Sequence, residues 1–234
     1  MKRVWNSLKY DVLSHFRNGI YYIYAIISVI YIIALRMIPP EMKDIAATII
    51  LFSDPSLLGF FFIGAIILLE KAHKTMENLF VTPLRIGEYI ISKTIALSVV
   101  TVVFSFIIVL FSYQFKFNPF FLFCGVFLSS ILFTLLGFIA AVKVKTLNGY
   151  LWIAPLYVVV AFLPIVEYLG FPPTLFYYLI PGKASLILIE AAFNKVGLGN
   201  LIYAFLTMAF LIILVYGWSR RVFHKNVIMR IGGQ

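Results

Sequence analysis

Where the charge sits along this chain constrains its fold more than any other feature. Six long apolar stretches, at 20–38, 54–70, 89–112, 119–142, 150–169 and 199–219, are separated by segments that alternate between strongly basic and neutral. The odd-numbered segments, with the span ends beside them, hold Lys2, Arg3, Lys9, Arg17, Lys71, Lys74, Arg85, Lys93, Lys143, Lys145, Arg220, Arg221, Lys225 and Arg230. Against these stand only Asp11, Glu70, Glu77 and Glu88. The even-numbered segments balance Arg36, Lys43, Lys116, Lys183 and Lys195 with Glu41, Asp44, Asp54, Glu167 and Glu190, so the whole net charge of +10 falls on one face. Lys and Arg in short loops are retained in the cytoplasm, which predicts that both termini are cytoplasmic. The basic balance is therefore a topology signal, and nucleic acid is not an expected partner.

A chain of 234 residues that is 63% hydrophobic and 12% charged cannot hide its apolar surface in one soluble core. Each apolar stretch matches a hydrocarbon thickness of about 30 Å at 1.5 Å per residue. In lipid every backbone N–H and C=O needs an internal partner, so the stretches must be helices. A β-barrel would show ten-residue segments of alternating polarity, and none appears. The expected fold is an all-α integral membrane protein with six transmembrane helices, a single domain over 1–234 in the cytoplasmic (inner) membrane. Trp5, Trp152 and Trp218 all fall at the cytoplasmic interface under this topology, where an amphipathic ring is favoured. The first nineteen residues are too polar for a cleaved signal peptide. Cys124, the only cysteine, lies mid-span, which excludes an intrachain disulfide and a cysteine metal cluster.

Between the spans, three segments carry structure of their own. Residues 2–18 place Val4, Trp5, Leu8, Val12, Leu13 and Phe16 at helical spacing, with Lys2, Arg3, Asn6, Lys9, Asp11, His15 and Arg17 opposite. This pattern predicts an amphipathic helix over 1–19 lying in the inner interface, in contact with lipid. The short outer connection before the second span leaves Arg36 to snorkel toward headgroups, and the Ile49–Phe52 run can extend that span outward. The loop at 70–88 is the longest cytoplasmic connection; Ala72, Met76, Leu79 and Phe80 share a helical face that Thr82-Pro83-Leu84 ends. The outer segment at 170–198 is too apolar for a solvated loop and is interrupted by Pro172, Pro173, Pro181 and Gly182. Two short re-entrant helices dipping into the outer leaflet would satisfy its backbone.

Several chemistries are missing from the letters. The nearest approach to a P-loop, Gly182-Lys183-Ala184, lacks the leading glycine and the final Ser or Thr. No zinc-protease or nucleophile-elbow motif occurs, and no metal site or catalytic residue is expected. His15, His73 and His224 are far apart in sequence and read as solvated or headgroup-facing. No acidic pair falls mid-span, and the ionisable residues read as lying at span ends. That argues against an ion-coupled transporter and leaves the energy source outside this chain.

The 70–93 segment resembles the signature of type-2 ATP-binding-cassette (ABC) transporter membrane subunits. Glu70 stands where that family closes the second span with an acid. Thr75-Met76-Glu77-Asn78-Leu79 is similar to its T-L-E-x-L helix, Val81-Thr82-Pro83-Leu84 to its A/V-T-P-L turn, and Lys93 to the basic residue opening span three. Lys74 and Ser92 replace glycines common in the pattern. The resemblance covers essentially the whole chain. It implies a cytoplasmic coupling helix that docks on a separate ABC ATPase subunit, which binds the ATP and Mg. Glu70, Met76, Glu77, Leu79, Phe80, Pro83, Leu84 and Arg85 would carry the coupling, with Met76, Leu79 and Phe80 filling an apolar groove and the charged groups on its rim. It also implies a second permease copy, identical or related, and a pathway near spans one, two and five, for which Tyr24, Phe61, Tyr157, Phe162 and Glu167 are candidates. The function so implied is an exporter subunit for a hydrophobic small molecule, drug or peptide. The alternatives are an ATP-independent channel, a lipid-modifying membrane enzyme, or an immunity or sensor protein.

Overall fold

The computed structural model describes residues 2–73, 76, 85–113, 116–172 and 174–228, and these are almost entirely helical. The N-terminal helix α1 (Lys2–Arg17) turns at Gly19 into α2 (Ile20–Met37). Then α3 (Pro40–Ser53) runs through a π-helical turn (Asp54–Gly59) into α4 (Phe60–Ala72). The long helices α5 (Ile86–Tyr113) and α6 (Pro119–Lys143) follow. Next come α7 (Leu147–Phe162), the single-turn α8 (Ile165–Tyr168), a 3-10 turn (Leu175–Leu179), α9 (Pro181–Glu190) and α10 (Leu198–Phe223).

Five segments among the described residues are long and apolar enough to cross a membrane: Ile20–Met37, Pro40–Ala72, Ile86–Tyr113, Pro119–Lys143 and Leu198–Val227. The sixth expected span, α7, is apolar but shorter than these five, its 16 residues ending at Phe162 ahead of Pro164. Even so, α7 and α8 together reach from the Lys143 end of the molecule to the Glu190 end, where the Tyr168 hydroxyl donates to the Glu190 carboxylate.

The second span is corrected. The 40–53 stretch is helix, continuous with α4 over 33 residues, or about 50 Å. Pro55 reads in sequence as a helix boundary, because proline lacks the N–H and crowds the preceding turn. The structure absorbs it by widening one turn to π geometry, the usual form of a mid-helix irregularity. Asp54, expected at an outer span end, is thereby carried near the middle of the segment and is 1% exposed.

Central to the bundle is α6, whose small residues let neighbours close in. Gly137 abuts the Phe60 backbone and the Ile63 side chain, and Gly125 abuts the backbone at Ile189. Two apolar clusters stack along it, one around Phe60, Phe138 and Tyr150, the other around Phe52, Phe133 and Leu186. Within the 170–198 segment, α9 is buried along its length, every residue from Gly182 to Ile189. The 3-10 turn before it stays on the surface, with Leu175 88% exposed. At Gly182 a Cβ would come within 1.9 Å of the Ala161 carbonyl oxygen, so only glycine admits this crossing of α9 and α7.

The helix α1 and the last turns of α10 lie at the same end of the bundle, the basal end. There Tyr89 of α5 packs on Phe223 of α10 at 5.5 Å, and α1 lies against the start of α5. Exposed Trp5, Leu13 and Phe16 form the outward apolar face of α1, while Asp11 and His15 are buried against α5. At the far end, Arg36 donates to the Phe111 carbonyl at 2.9 and 3.2 Å and so closes the C-terminus of α5, rather than reaching outward.

Candidate functional site

The basal end gathers the charged residues around one ammonium. Lys93, two turns inside α5, is 3% exposed, and its Nζ lies 3.0 Å from Asp11 Oδ1 and 2.6 Å from Glu70 Oε1. The Tyr89 hydroxyl donates to Glu70 Oε2, and the Ser92 hydroxyl donates to Asp11 Oδ2. Three elements that are separate in sequence are thus joined: α1 through Asp11, α4 through Glu70, and α5 through Tyr89, Ser92 and Lys93. The spacing follows from helix geometry, since residues 89 and 93 stand one turn apart on the same face. A buried ion pair of this kind adds little net stability, because both partners lose hydration.

His15 lies beside this network, 1% exposed, with neither ring nitrogen hydrogen-bonded. Burial pushes its pKa down to about 4; Asp11 opposes the shift and Lys93 adds to it. The expectation of a solvated His15 is corrected: position 15 follows 4, 8 and 11 on the face turned to the protein. His73 and His224 are exposed, as expected.

The candidate coupling residues divide. Glu70 is held by Lys93 and Tyr89, and Met76 is buried in the main apolar cluster. Arg85 is exposed, and its backbone N–H donates at 2.9 Å to Glu88, which caps the first turn of α5. Glu77, Leu79, Phe80, Pro83 and Leu84 lie outside the described residues. Next to the loop, Lys71 Nζ donates to the carbonyls of Ala141, Val142 and Val144 at 2.8–2.9 Å, tying α4 to the C-terminus of α6.

The candidate pathway residues occupy two settings. Tyr24 is fully buried inside the bundle, stacked on Phe104 at 5.4 Å and paired with the Thr101 hydroxyl at 2.9 Å. Phe61, Tyr157 and Phe162 are partly exposed. Tyr157 lines an apolar cleft of about 410 Å³ with Leu136, Leu156, Val160, Ala161 and Pro181, where α6, α7 and the start of α9 meet. Glu167 is paired with buried Lys183 at 2.5 Å, and the ammonium lies over the rings of Tyr168 and Tyr178. The sequence reading missed Asp11, His15, Tyr89 and Asp54. The one mark in the letters was Asp11, the single acid of an otherwise basic helix, and it did not say which face turns inward.

Two kinds of comparison bear on this arrangement. The model of the fluoroquinolones export permease protein family matches residues 2–231. Two curated proteins of Mycobacterium tuberculosis, from strain CDC 1551 / Oshkosh and strain ATCC 25618 / H37Rv, are each 26% identical to this chain over 200 residues. The matched region covers 85% of this chain and 84% of each relative, and both relatives are named fluoroquinolones export permease proteins.

Proposed function

The chain belongs to the fluoroquinolones export permease protein family, and from that premise we propose that it is the membrane-spanning subunit of an ATP-driven exporter. The protein is a permease without catalytic residues of its own. A separate cytoplasmic ABC ATPase binds ATP and Mg, and its closure is delivered through the 70–88 loop. The observation that carries this reading is the Glu70–Lys93–Asp11 network. It clamps both ends of the loop, α4 before it and α5 after it, to the interfacial helix. A loop that only rested on lipid would need no buried three-way ion pair at its root, since such a pair costs desolvation and is weak as a source of net stability.

The cargo class is a hydrophobic small molecule, with a quinolone-like drug as the first choice on the relatives' names. The apolar cleft beside Tyr157 opens on the flank of the bundle, where a lipid-soluble molecule enters sideways. A second permease copy completes the pathway, and the termini face the cytoplasm, where the basic segments are retained.

The test is a mild-detergent pull-down of the tagged full-length chain from its own membrane, with the co-purifying proteins identified. A stoichiometric soluble subunit with a Walker motif is expected, and Leu79→Asp should remove it. Full drug export by the chain with no such subunit would overturn the assignment.

A further inference from the structure

Asp54 is the one carboxylate of the described residues that lies deep in a membrane-spanning segment without a cation. It is 1% exposed, and its Oδ2 meets no hydrogen-bond donor. The buried ammonium groups are engaged elsewhere, Lys93 with Asp11 and Glu70, Lys183 with Glu167. What surrounds Asp54 is hydroxyl. Ser105 of α5 lies beside it, and Tyr24 and Tyr31 of α2 are the titratable groups within its electrostatic reach. Tyr24, Thr101 and Ser130 form a hydroxyl chain with separations of 2.9 and 3.5 Å. The hydroxyls of Ser56, Ser129 and Thr134 are buried with no partner. Thr134 and Ser130 face the π turn itself, at 3.3 and 4.0 Å from where a Cβ on Gly59 would stand.

A carboxyl buried with one oxygen unpaired, among hydroxyls and apart from every engaged ammonium, describes a site that lacks positive charge. An unpaired ionised carboxylate is not sustained in such surroundings, so the group holds a proton or an external cation. The donor set selects the cation. A hard divalent ion would ask for six or more oxygens and several carboxylates. One carboxylate, the hydroxyls near it and the ring of Tyr24, itself packed on Phe62 and Phe104, suit an organic ammonium: N–H groups donate to the oxygens and an aromatic face attracts the charge.

We propose that Asp54 is the intramembrane acceptor for a protonated amine on the transported molecule, and that it holds a proton when the amine is absent. This rests on the export reading above and names the chemical class of its cargo. The exchange is balanced. Asp54–COOH and R₃NH⁺ give Asp54–COO⁻ paired with R₃NH⁺, and one H⁺ leaves to water. The site is neutral in both states, and neutrality is what lets a loaded carrier re-orient within the bilayer. The irregular backbone of the π turn supplies the give needed to open a site that is closed in this structure.

The test is carbodiimide labelling, because dicyclohexylcarbodiimide modifies protonated carboxyls in apolar surroundings. The full-length chain in detergent is labelled and digested, and the adduct on the Asp54 peptide is quantified by mass spectrometry. Norfloxacin, which carries a basic piperazine, is the probe; nalidixic acid, a quinolone acid without one, is the control. Asp54 is expected to label, norfloxacin to cut labelling at least fivefold, and nalidixic acid to leave it unchanged. No labelling of Asp54, or equal protection by both compounds or by neither, overturns the proposal. In cells, Asp54→Asn at unchanged expression and Tm should lose norfloxacin export while nalidixic acid export persists, and equal loss of both overturns it as well. The labelling needs neither ATP nor an ATPase. Norfloxacin protection with no ATPase in the pull-down therefore refutes the energy source and leaves the amine site standing.

Discussion

Lys93 is the residue on which the basal end depends. Removing its ammonium by Lys93→Met leaves Asp11 and Glu70 facing each other without a counter-charge, both largely buried. A loss of about 3–5 kcal/mol is expected, the usual cost of breaking a buried pair from one side. It should be read as a lower Tm in detergent, and Tm should recover partly when Asp11→Asn is added. His15 sets a pH dependence with a definite sign. Its pKa falls from 6.5 in the unfolded chain to about 4 in the folded one, so the unfolded state binds the proton first as the medium is acidified. The contribution of neutral His15 is complete above pH 6.5 and drains away as pH falls toward 4. A Tm series across that window should flatten in His15→Gln. Glu70 and Lys93 could each be picked from the letters by their places at the ends of two spans. That they touch could not, because nothing local encodes a contact across 23 positions. Asp11 was harder still, since it sits among cations and looked like part of a solvated face.

At the level of elements, apolar length was legible and helix interruption was not. Hydropathy locates α2, α5, α6 and α10 within a few residues, since a lipid-spanning helix must be apolar along its length. Proline has two outcomes that sequence does not separate. At Pro39–Pro40 it starts a helix, at Pro55 the helix runs on through a π turn, and at Pro164 it restarts after a break. The choice is made by neighbours, because a freed carbonyl is tolerated where other helices or hydroxyls surround it. Pro55→Ala should let the turn relax to regular helix and rotate Asp54 relative to α5 and α6, reducing its carbodiimide labelling with little change in Tm. The crossing of α9 and α7 makes a sharper prediction. Gly182→Ala places a methyl against a backbone oxygen that has nowhere to move, and should cost at least about 1–3 kcal/mol. Gly199→Ala, where nothing lies within 4 Å, is the matched control and should be neutral.

For the whole molecule, the alternation of charge predicts a topology and the structure puts α1 and the end of α10 at one end. Single cysteines at Tyr10 and Lys225, both exposed, in a Cys124→Ser background should therefore react together. A membrane-impermeant maleimide should label both in inside-out vesicles and neither in intact cells; opposite accessibility of the two sites would rule out an even number of crossings. The hydrogen bonds of Lys71 add a mechanical point. One ammonium grips three carbonyls where α6 gives way to α7, so the foot of α4 and the hinge of α7 form a single drawbar. Any pull on the chain just beyond Ala72 is transmitted to the helix that walls the cleft at Tyr157, without passing through the middle of the bundle.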